Sequence, residues 1–83
     1  MTRAELMALA GRVMGLTGAD NAVDVLVECA LHGCRPNAAG TKVIYKDAML
    51  RDVTFLADDY TLDAETHKAT AAALLARAAE CEE

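Results

Sequence analysis

The chain contains no serine and no tryptophan, and only one proline, one phenylalanine and two tyrosines. Without serine there is no Ser-His-Asp triad. With aromatics at 4 % of 83 residues, the core has to be Ala, Leu, Val and Met packed between helices. No apolar run approaches the ~20 residues of a membrane-spanning helix, so no span is expected. No glycine is followed by lysine, which excludes a Walker-type phosphate loop. Gly15 and Gly18 have Val13 where a dinucleotide fingerprint places its first glycine, and they follow a helix instead of a strand. A regulator built on a helix-turn-helix is disfavoured as well, because the second predicted helix lacks basic residues.

The groups capable of chemistry are scattered. Cys29, His32 and Cys34 lie within six residues, with His67 and Cys81 remote. Their Cys-x2-His-x-Cys spacing lacks the second ligand pair of a structural zinc site, so no metal is expected. A Cys34–His32 dyad oriented by Asn37 would need a pocket that a chain of this size hardly offers. The carboxylate pairs Asp58–Asp59 and Asp63–Glu65 diverge from one another and make poor general acid–base partners. The expectation is a protein without enzymatic activity, catalytic residues or cofactors. Met1 to Glu5 runs directly into an amphipathic pattern with charges throughout. No signal peptide or lipid anchor is therefore expected, and the thiols are expected to be free in a reducing cytosol.

What is present is helical at both ends. A chain of 83 residues builds one core, so residues 1–83 are expected to form a single domain. Thr2 and Glu5 stand at capping-box spacing, and Leu6, Leu9, Ala10 and Val13 recur on one face, with Leu16 closing a helix before Thr17-Gly18. Gly18 suits a helix exit of positive φ. Thr17 or Asp20 caps a second helix, whose stripe is Val23, Leu26, Val27, Ala30 and Leu31 and whose end is Gly33. Residues 34–41 read as loop. Residues 42–46 read as a strand, and 48–58 fit two patterns. One is a hairpin partner over 52–56; the other is a helix face of Met49, Val53, Leu56 and Tyr60 capped by Asp47. A last helix starts from Thr61 or Asp63 and runs to about residue 81 on Ala71, Leu74, Leu75 and Ala78, with Glu80, Glu82 and Glu83 at its negative end. The fold class is therefore α+β and mostly α: an N-terminal helical pair, a middle β segment or hairpin, and a long C-terminal helix. A small all-α bundle is the alternative.

Charge is one-sided. Residues 1–42 carry four acids and four bases, whereas residues 43–83 carry nine acids and four bases. Such a field repels nucleic acid and attracts basic protein surfaces, besides keeping a small chain soluble.

Leu16-Thr17-Gly18-Ala19-Asp20 followed by Val23-Asp24 resembles the opening of small phage proteins of the ABA-sandwich-domain type. Tyr60-Thr61-Leu62-Asp63-Ala64 is similar to a second segment of that family, and Ala72–Ala78 to its alanine- and arginine-rich last helix. The middle lacks the tryptophan and proline of that family. The resemblance implies a phage or prophage origin and α+β layering, and it implies no catalytic residues.

Together these features lead to the expectation of an accessory protein that inhibits a host defence protein, such as a CRISPR–Cas effector, through an acidic surface. The expected contacts are Asp52, Asp58, Asp59, Tyr60, Asp63 and Glu65. Two alternatives come from other classes. One is an oligomeric sponge holding a nucleotide signal on Lys42, Lys46 and Arg51; the other is a self-assembling structural protein.

Overall fold

The computed structural model describes residues 1–81. Helix α1 (Arg3–Met14) starts with the predicted capping box: the Glu5 amide donates to Thr2 Oγ1 at 3.1 Å and the Thr2 amide to Glu5 Oε1 at 3.0 Å. Its exit differs from the expected one. The Gly15 amide bonds back to the Gly11 and Arg12 carbonyls at φ −85°, so the last turn tightens and the helix stops before Leu16. Leu16 then folds against the core from outside the helix, and Gly18 is not left-handed.

Helix α2 (Asn21–His32) is capped by Asp20, whose Oδ1 accepts from the Val23 amide at 3.2 Å. It ends at Gly33, where φ of 72° is a left-handed exit that glycine adopts without strain. The sequence pattern foresaw one apolar stripe, but burial is wider: Val23, Asp24, Val25, Val27 and Glu28 are all buried. The reason is layering. One side of α2 meets α1 and the third helix, while the other meets the sheet, so little of it faces water.

Three short strands, β1 (Arg35–Pro36), β2 (Val43–Lys46) and β3 (Asp52–Phe55), form an antiparallel sheet in the order β1-β2-β3. The segment 34–41, expected to be wholly loop, thus contributes a strand, pairing Arg35 with Ile44 and Pro36 with Val43. Proline is acceptable there because β1 lies at the sheet edge. The ambiguous segment resolves as the hairpin. Val43 faces Phe55 and Tyr45 faces Val53, and the rings of Tyr45 and Phe55 meet edge to face at 5.9 Å across the diagonal. Asp47 caps the turn in place of a helix: its Oδ1 accepts from the Met49 amide at 2.8 Å and the Arg51 amide at 2.9 Å. The all-α alternative is thereby excluded.

Helix α3 (Ala64–Ala79) takes Asp63, not Thr61, as its cap, with a reciprocal Asp63–Thr66 box. It ends two residues short of the expected boundary, at the Glu80 cap. Its buried face is His67, Thr70, Ala71, Leu74 and Ala78; Leu75, expected inside, is 48 % exposed. The charge expected at Glu82 and Glu83 lies outside the described residues. α1 packs chiefly on α3, more than on α2, its neighbour in sequence. Their small residues permit the close approach, and the main core joins Leu6, Leu9, Ala10 and Val13 to Val23, Val27, Ala71, Leu74 and Ala78. Among the described residues no helix is long and apolar enough to cross a membrane.

Candidate functional site

Between Phe55 at the end of β3 and Asp63 at the start of α3, seven residues run as a strap without regular structure. Two carboxylates of α2, one turn apart on the same face, hold it in place. Glu28, only 6 % exposed, accepts from the Tyr45 hydroxyl, from the Tyr60 hydroxyl at 3.2 Å and from the Asp58 amide at 3.3 Å. The His32 imidazole lies 3.7 Å away on the same carboxylate. Asp24, 5 % exposed, accepts from the Thr61 hydroxyl at 2.7 Å, and that hydroxyl in turn accepts from the Asp20 amide at 2.8 Å. α3 adds two bonds: Thr70 donates to the Tyr60 carbonyl at 2.7 Å, and a ring nitrogen of His67 bonds the Thr61 carbonyl at 2.9 Å. Every one of these attachments uses strap backbone or an inward side chain.

The two carboxylates differ electrostatically. Burial raises the Glu28 carboxyl, but the bonds from Tyr45, the Asp58 amide and Tyr60, with His32 nearby, outweigh it and hold it below the ordinary range. Asp24 goes the other way: burial dominates over the Thr61 bonds, Asp59 and Asp20 add repulsion, and the carboxyl rises. Both tyrosine hydroxyls are pushed up, by burial first and by the Glu28 charge with it, so they remain protonated donors.

What the strap shows to solvent is mixed. Leu56 is 74 % exposed, Leu62 58 % and Phe55 52 %, and they alternate with the exposed acids Asp58, Asp59 and Asp63, followed by Glu65. No lysine or arginine occurs from residue 52 to 66. Among the described residues, no ion pair involves Asp58, Asp59, Asp63 or Glu65.

The six expected contact residues therefore have different standing. Asp58, Asp59 and Glu65 lie exposed on or beside the strap. Asp63 is exposed too, but its carboxylate caps α3; its bonds from the Thr66 amide and hydroxyl network hold its pKa down. Tyr60 is half-buried with its hydroxyl committed to Glu28. Asp52 sits apart on β3, bridged to both Arg35 and Lys46. The cations expected for a nucleotide sponge are similarly occupied: Lys46 pairs with Asp52 and Arg51 with Asp47. Sequence reasoning missed Asp24, Glu28, Thr61, His67 and Thr70. Their signal was present in α2, where Val23-Asp24-Val25 and Val27-Glu28 put acids inside a segment that is apolar nearly all round.

Among the described residues no three metal-ligating side chains converge. No family model, no curated protein and no solved structure matches this chain.

Proposed function

We propose that this chain is a protein-binding module, of phage or prophage origin, that covers a basic and partly apolar surface of a host defence protein in the bacterial cytoplasm. CRISPR–Cas effectors, with their cationic nucleic-acid channels, are the class of target that such chemistry fits. One observation carries the reading: the strap presents unpaired carboxylates interleaved with exposed Leu56 and Leu62 on a backbone already fixed by Glu28, Asp24, Thr70 and His67. A preformed backbone lowers the ordering cost of binding, and exposed apolar side chains among charges supply burial alongside steering. The sponge reading loses support, since two of its three cations are already paired.

The test is retention of a basic, nucleic-acid-binding component of host lysate on the immobilised chain, with and without competing nucleic acid. Asp58, Asp59 and Glu65 are reversed to lysine together, leaving Asp63 to cap α3. A separate variant carries Leu56→Ala and Leu62→Ala. Each variant is expected to weaken binding at least about tenfold, a change of ~1.4 kcal/mol. Unchanged retention by both variants would reject the strap as the contact surface.

A further inference from the structure

Two thiols that take no part in the strap meet at the end of α2. Cys29 occupies the last turn, and Cys34 is the first residue beyond the left-handed Gly33. The reversal at Gly33 folds Cys34 back over the helix end, bringing its Sγ to 3.5 Å from Cys29 Sγ. A disulfide bond is about 2.05 Å long, so the two sulfurs need to close by roughly 1.5 Å to bond. Both thiols are half-buried, and a shallow recess of about 230 Å³ lined by Gly33, Cys34, Arg35, Ile44, Tyr45 and Lys46 opens onto Cys34.

We propose that Cys29 and Cys34 form a modification site, a dithiol that a low-molecular-weight disulfide converts reversibly into an intramolecular disulfide. The recess lets the reagent reach Cys34 first. The Cys34 thiolate attacks one sulfur of the reagent, the S–S bond breaks, and one reagent thiolate leaves and takes up a proton. Cys29 then attacks Cys34 Sγ in the mixed disulfide, gives its proton to the second departing thiolate, and closes the ring. Two protein S–H bonds and one reagent S–S bond are exchanged for one protein S–S bond and two reagent thiols. The protein loses two electrons and the reagent gains them. This order suits Cys29, whose thiol is pushed up to about 12 by burial, by Cys34 and by Glu28, and which makes a poor first nucleophile.

The link would join the end of α2 to the start of β1, one residue from Glu28 and beside Tyr45. Oxidation thus ties the helical layer to the sheet at the point where Glu28 holds both tyrosines.

The experiment incubates the reduced chain with glutathione disulfide, quenches with iodoacetamide, and reads intact mass and peptide maps across protein concentrations. The expected product is a monomer that has lost two thiols and keeps one alkylated cysteine, Cys81, with full reversal by dithiothreitol. Cys81→Ala should form the same link, and Cys29→Ala should stop at a glutathione adduct on Cys34. The proposal is overturned by three alkylated thiols at saturating reagent, by a stable glutathione adduct on the native chain, or by links to Cys81 or between chains.

Discussion

Replacing Glu28 by glutamine keeps the side chain's shape and removes its charge, which isolates the carboxylate's role in holding the strap. Three donors converge on it: two tyrosine hydroxyls and the Asp58 amide. A hydrogen bond to a charged acceptor contributes about 1.5–3 kcal/mol and one to a neutral acceptor about 0.5–1.5. The loss is therefore near 1 kcal/mol per bond, about halved because both tyrosines and Asp58 also reach water. The amide of glutamine further turns a donor toward one of the three. About 1.5 kcal/mol is expected for Glu28→Gln and about 3 kcal/mol for Glu28→Ala, which leaves all three donors without their acceptor. Urea unfolding reads this directly. With a slope near 1 kcal/mol per molar urea for a chain of this size, the glutamine variant's midpoint should fall by about 1.5 M. There is no tryptophan, so tyrosine emission comes only from Tyr45 and Tyr60, the two side chains that Glu28 binds.

The acid limb supplies a second arm of the same test. The folded Glu28 carboxyl lies below its ordinary value of 4.5, so its contribution is present above that pH and is lost as pH falls through the folded value. Glu28→Gln should therefore shrink the acid-induced loss of stability. It should not abolish that loss, because hydrogen bonds and ion pairs also hold Glu5, Asp47, Asp52 and Asp63 below their ordinary values. A glutamine variant with an unmoved urea midpoint and an unchanged acid limb would refute the carboxylate clasp.

Leu50 carries φ of 61° at the hairpin tip with its side chain 77 % exposed, so Leu50→Gly relieves strain and removes no packing. Relief of ~1–2 kcal/mol set against the ~0.5–1 kcal/mol entropic cost of glycine should leave the variant more stable by about 0.5 kcal/mol, readable as a higher thermal midpoint. Asp24 titrates in the opposite sense to Glu28: its folded carboxyl is raised, so its contribution is complete below the ordinary value of 3.8 and declines as pH rises through the folded value. Asp24→Asn, which keeps an oxygen for Thr61, should gain stability at neutral pH relative to the native chain, and that gain should vanish in acid. Urea titrations at the two pH values would show a pH-independent difference if burial were not what raises Asp24.

Local signals in the sequence were enough to locate the three helices, though not the exit of α1. Thr2 with Glu5, Asp20 ahead of Val23, and Gly33 after His32 act within one turn, so their spacing fixes their roles. The segment 48–58 was not decidable locally. Met49, Val53, Leu56 and Tyr60 match a helix face, and what overrides it is pairing with β2, a contact no short window contains. The candidate site was legible only in its exposed half. Asp58, Asp59 and Glu65 follow from charge, whereas Asp24 and Glu28 are charged residues of a kind that ordinarily faces water. They are buried because α2 is flanked by helices on one side and sheet on the other, and that layering exists only once the chain has folded.

The division of labour along the strap bears on how such a protein can change. Its place in the fold is held by main-chain groups and by Tyr60 and Thr61, which point inward, while Leu56, Asp58, Asp59 and Leu62 take no part in the core. Outward positions can therefore drift through many side chains at little thermodynamic cost, whereas the buried apolar positions of α2, packed against helices or sheet, are far more constrained. If the strap is the contact surface proposed above, a lineage facing a changing partner could rewrite it one residue at a time and never pass through an unfolded ancestor.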